Sequence, residues 1–123
     1  MVHKIHKIAV VTDDIEGAVE FYTQKLGLTV VERFANEDDD DYVFLDAGGI
    51  LLELMPQKTE GHPPGFHHIS FDVDSVEDSA QELKDKGVTI TKEPFDVGGG
   101  TGITLGFFGG PNQLNLQLFH REK

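Results

Sequence analysis

Apolar and polar positions along the chain alternate between two periods, and the same order of periods occurs twice. The run "KIHKIAVVT" is β-branched and apolar, which predicts a strand. "DDIEGAVEFYTQKLG" follows with Asp residues suited to capping, and it places Ile15, Ala18, Val19, Tyr22 and Leu26 on one helical face. Gly27 stands where a helix C-terminus favours a left-handed residue. "LTVVERFA", "DYVFLDAG" and "ILLELMP" then predict three strands, with the acidic tip "NEDDDD" and Gly48-Gly49 as hairpin turns. In the second half, "GFHHISFDV" predicts a strand and "SVEDSAQELKDKG" a helix. "VTITKEPF", "TGITLGFF" and "NQLNLQLFH" predict three further strands.

The two halves also match residue by residue. At an offset of 61, His6 aligns with His67, Ile8 with Ile69, Asp13 with Asp74 and Glu16 with Glu77, all identical. After a one-residue slip, "KLGLTV" matches "DKGVTI". A duplicated module is therefore expected. Residues 1–56 form module one, 57–65 a linker broken by Pro63-Pro64, and 66–123 module two, together one domain. The fold class is α+β: two βαβββ modules forming a curved eight-stranded half-barrel with the helices outside. The concave side of such a sheet is a natural ligand cavity.

Composition narrows the function. A length of 123 residues suits one domain, and 38% apolar with 26% charged residues suits a globular one. The absence of cysteine excludes disulfides, thiolate metal sites and cysteine nucleophiles. A net charge of −12 repels phosphate backbones, so no nucleic-acid partner is expected. No apolar run approaches the roughly 20 residues of a membrane span, and "MVHKIHKIAV" has no signal-peptide pattern. The expectation is a cytoplasmic protein with a small-molecule ligand.

The paired modules, together with "DDIEGAVEFYTQKLGL", "ILLELMP", "FHHISFDVDSVEDS" and "PNQLNLQLF", resemble the vicinal oxygen chelate superfamily. Glyoxalase I, methylmalonyl-CoA epimerase and bleomycin-resistance proteins belong to that group. The resemblance spans essentially the whole chain and implies a homodimer. In metal-using relatives, His, Glu, His and Glu from the first and fourth strands of each module face the cavity. Carried over by position, those places hold Lys7, Glu53, His68 and Gln117. The resemblance thus implies Glu53 and His68 as catalytic groups, His68, Glu53 and Gln117 as metal ligands, and Lys7 as a substrate-binding group. It leaves the cofactor open between a divalent metal (Zn²⁺, Ni²⁺, Co²⁺ or Mn²⁺) and none.

Two of the four positions depart from the pattern. An ammonium at Lys7 has no lone pair and repels a dication. At ~4 Å and an effective dielectric constant near 20, unit charges interact by roughly 4 kcal/mol, and a doubly charged ion by about twice that. A Lys7–Glu53 ion pair in the metal's place is the easier arrangement. Gln117 offers only a neutral carbonyl and cannot act as a general base. Strand alternation sends His6 to the face opposite Lys7, toward the helix, unless a bulge at residues 6–8 turns it inward.

Other segments carry less. "VGGGTGITLGFFGG" lacks the phosphate-loop ending and fits a glycine-tolerant hairpin or a loop over the cavity mouth. "NEDDDDYVF" has Asp41 where an EF-hand needs glycine. Ser70, Ser75 and Ser79 lie outside any nucleophile motif. His62 and His120 are expected in exposed segments. The phenylalanines are shared between core and cavity in a way that sequence does not divide.

Three functions fit. The first is a lyase or isomerase resembling glyoxalase I or methylmalonyl-CoA epimerase, moving a proton beside a carbonyl with an altered metal site. The second is a metal-free protein that binds a cationic drug, resembling bleomycin-resistance proteins. The third is a non-chelating family enzyme in which Lys7 holds an anionic substrate.

Overall fold

A computed structural model of the chain describes residues 2–35, 41–57 and 63–122. Residues 36–40 of the acidic tip and residues 58–62 of the linker, with His62, lie outside the described residues. The described chain is α+β and runs through the βαβββ order twice. It divides into two compact units, residues 7–67 and residues 68–122 together with 2–6.

In the first unit, β1 (Val2–Thr12, here from Lys7), β2 (Thr29–Ala35), β3 (Asp41–Asp46) and β4 (Leu51–Pro56) pair in the order β2-β3-β4-β1. β1 and β4 are parallel, joined through the helical crossover and two hairpin strands, and the other pairs are antiparallel. The register from Lys7↔Leu51 to Thr12↔Pro56 is unbroken, so no bulge falls within residues 7–12. α1 (Ile15–Glu20) starts where the Asp14 carboxylate accepts from the Gly17 N–H at 2.9 Å. It continues as a π-turn over Phe21–Lys25, where the Thr23 hydroxyl donates to the Val19 carbonyl. The predicted single α-helix is thus two segments. Ile15, Ala18, Val19 and Tyr22 of the expected helical face pack on Val43, Leu45 and Leu54, whereas Leu26, expected with them, lies at the end of the π-turn and is exposed.

The second unit repeats the order. β5 (Gly65–Val73, here from His68), β6 (Ile90–Asp96), β7 (Ile103–Gly109) and β8 (Asn115–Arg121) pair as β5-β8-β7-β6, with β5 and β8 parallel. α2 (Val76–Asp85) is capped by Ser75, whose hydroxyl accepts from the Asp78 N–H. Val76, Ala80 and Leu83 on α2 meet Val73, Ile90, Phe108 and Leu118 of the sheet. Gly106 on β7 lets the helix approach: a Cβ there would stand 3.2 Å from a Val76 methyl.

The glycine-rich stretch is a β6–β7 hairpin, closed by the Val97 N–H to the Ile103 carbonyl, with positive φ at Gly98, Gly99, Gly100 and Gly102. His120 is not exposed as expected. It is half-buried, and its Nδ1–H donates to the Val73 carbonyl at 2.9 Å. No helix among the described residues is long and apolar enough to cross a membrane.

Candidate functional site

In the first unit, α1 covers the face built from Val43, Leu45, Leu52 and Leu54. Alternation leaves Lys7, Ala9 and Val11 of β1 on the other face, beside Leu51, Glu53 and Met55 of β4. Glu53 stands opposite Phe44, whose ring meets Phe34 edge-on, and Phe34 stacks on Tyr42. This aromatic wall is not separable from the core phenylalanines in sequence, because both kinds sit in alternating runs.

A carboxylate inside "ILLELMP" must find a partner or pay for its burial. Its partner is Lys7: Nζ lies 3.7 Å from Glu53 Oε1, with 3% of Lys7 and 7% of Glu53 exposed. The expected ion pair is therefore present. Burial pushes the Lys7 ammonium below its ordinary value of 10.5, and the charge and hydrogen bond of Glu53 pull it upward without cancelling that effect.

In the second unit, His68, Ser70 and Gln117 are all buried, at 2%, 0% and 3% exposure. β5 and β8 set Ser70 opposite Gln117, and β8 and β7 set Gln117 opposite Phe107. The His68 ring meets Phe107 edge-on at 5.6 Å. These contacts put His68, Ser70, Gln117 and Phe107 on one face, while Leu118 and Phe108, one position along, face α2.

Ser70 has no nucleophile motif to single it out in sequence. The signal that finds it is its place two residues after His68. Its hydroxyl has no hydrogen-bond partner among the described residues, an arrangement that ordinarily costs about 1–3 kcal/mol.

The His6 ring stacks on Phe119 at 3.9 Å, and Phe119 alternates with Leu118 onto the face away from α2.

The donor set does not match a four-ligand divalent site. At the first position an ammonium pairs with Glu53, and Gln117 contributes no charge. Among the described residues no three His, Asp or Glu side chains converge as a metal centre would require.

The model of the glyoxalase/bleomycin resistance protein/dioxygenase superfamily matches residues 4–118. The uncharacterized protein YwkD of Bacillus subtilis is 32% identical over 98% of this chain and 99% of its own. A probable lactoylglutathione lyase of Vibrio cholerae is 27% identical over 98% and 93%. Among solved structures, a variant of Streptomyces coelicolor methylmalonyl-CoA epimerase, in complex with 2-nitronate-propionyl-CoA, matches over 100% of both chains. Its TM-score is 0.80 at 22% identity, a likeness of fold. With its duplicated βαβββ order and a family match over nearly its whole length, this chain belongs to the glyoxalase/bleomycin resistance protein/dioxygenase superfamily.

Proposed function

We propose that this protein is a small-molecule enzyme of the lyase or isomerase kind, which moves a proton on a carbon beside a carbonyl. Glu53 is the proton-accepting carboxylate. Lys7 holds it and offers positive charge to the oxygen that becomes negative as the proton leaves. His68 is the second candidate for proton transfer. Gln117 contributes a neutral amide contact, and no step runs through a divalent metal.

The observation that carries this reading is the buried Lys7–Glu53 pair at a position where the family pattern places a metal ligand. A cation fixed in the protein does electrostatically part of what a Lewis acid would do, and it favours an anionic or carbonyl-bearing substrate. Family membership, and relatives that include a probable lactoylglutathione lyase, support this reaction class.

The alternative, a binder of cationic drugs, draws on the net charge of −12. Lys7 weighs against it, because a cationic ligand brought to Glu53 would meet an ammonium already there.

The test is turnover of methylmalonyl-CoA and of the hemithioacetal of methylglyoxal and glutathione. It uses protein purified without chelator and then checked for metal. The expected result is turnover of one of them by metal-free protein, with a loss of about 10²-fold or more in Glu53→Gln. Turnover that appears only after adding Zn²⁺, Ni²⁺, Co²⁺ or Mn²⁺ overturns the metal-free mechanism. No turnover of either substrate, with or without metal, overturns the reading altogether.

A further inference from the structure

We infer that Ser70 is a ligand-binding residue whose hydroxyl donates a hydrogen bond to a carbonyl or carboxylate oxygen of the bound small molecule. The inference rests on the proposal that this protein acts on such a molecule, and it adds a contact that the family pattern of His and Glu positions does not contain.

Ser70 is fully buried in β5, and its Oγ has no hydrogen-bond partner among the described residues. Serine hydroxyls in strands are ordinarily satisfied by a neighbouring carbonyl or a cross-strand partner. Alanine would fill nearly the same volume with no polar atom to satisfy, so packing alone gives no reason for the oxygen.

The surroundings select the kind of ligand atom. Ser70 faces the same side as His68 and Gln117, with the Phe107 ring beside them, and the opposite face is closed by α2. None of Ser70, Gln117 and Phe107 carries charge. A hydroxyl beside an amide and an imidazole is a directional donor for one oxygen of modest charge. A phosphate would call for the Lys, Arg or stacked backbone N–H groups that such ligands draw on. A carbonyl or carboxylate oxygen of a small organic molecule is the matching acceptor.

The experiment compares wild-type protein with Ser70→Ala and Ser70→Cys, in full-length chain. Thermal unfolding is measured without ligand. Binding of methylmalonyl-CoA, of the hemithioacetal and of malonate is measured by calorimetry. The expected result is a melting temperature unchanged or raised in Ser70→Ala, with affinity for at least one probe weakened about tenfold. Ser70→Cys, with its weaker donor, should fall between.

A melting temperature lowered by several degrees in Ser70→Ala would show that the fold itself uses the hydroxyl, and that overturns the inference. So does equal affinity of wild type and Ser70→Ala for every probe that binds, or no binding of any probe. Ser70-dependent binding of malonate without turnover of either substrate upholds the inference while removing the proposed reaction. The two failures are thereby separable.

Discussion

Replacing Glu53 with glutamine should be the most costly single change in the first unit, and pairing it with a second change should cancel the cost. The Lys7 ammonium and the Glu53 carboxylate are 3.7 Å apart and almost wholly buried. With an effective dielectric constant near 20, their attraction is about 4.5 kcal/mol. Glu53→Gln removes the attraction and leaves the ammonium buried, a change that typically costs about 3–5 kcal/mol. A second limit gives the same scale. Lys7 can escape by giving up its proton, and at pH 7 that costs a group of ordinary value 10.5 about 5 kcal/mol, at about 1.36 kcal/mol per pH unit.

For a chain of this length, Glu53→Gln should therefore lower the melting temperature by about 10–20 °C. Lys7→Met leaves a buried carboxylate and should cost a similar amount. The double variant Lys7→Met/Glu53→Leu leaves neither charge, and such replacements are neutral or stabilising by about 1–4 kcal/mol. Urea denaturation of wild type, both single variants and the double variant closes the comparison. A Glu53→Gln cost below about 1 kcal/mol, or a double variant as unstable as the two singles added, would refute the account of a dry, mutually dependent pair.

Two further outcomes follow from the same pair. Because burial holds the Lys7 value below its unfolded 10.5, the folded state binds fewer protons than the unfolded state between those two values. Wild-type stability should rise with pH across that window relative to Lys7→Met. Urea midpoints at closely spaced pH values check this, and parallel profiles would contradict it. Lys7→His exchanges the ammonium for the imidazole that the family pattern has there. It should bind Zn²⁺ or Ni²⁺ at least about 100-fold more tightly than wild type by calorimetry, and unchanged affinity would contradict the role of Lys7 in excluding metal.

The candidate site is legible in the sequence chiefly through the family resemblance, which picks out Lys7, Glu53, His68 and Gln117 by their positions in the repeated modules. The repeat aligns His68 with Lys7, and the apolar run around Glu53 marks a carboxylate that needs a partner; the structure supplies that partner in Lys7. Ser70 is not legible. Its distinction is a hydroxyl without a protein partner among the described residues, and that depends on β8 and β7 arriving beside β5. The stacking of His6 on Phe119 is likewise not legible, because the two residues lie far apart in sequence.

By itself, the sequence determined the duplicated βαβββ order and the capped helices, which follow from contacts between residues close in sequence and from hydrophobic periodicity; the placing of Lys7 and Glu53 on one face is what the family resemblance implied. Only the tertiary structure decided that 3.7 Å separates the Lys7 and Glu53 charges, which phenylalanines stand beside Glu53 and His68, and that the Ser70 oxygen is shut away from a partner among the described residues. Those facts depend on strands far apart in sequence being brought into register, and burial is a property of what surrounds a side chain rather than of its neighbours along the chain.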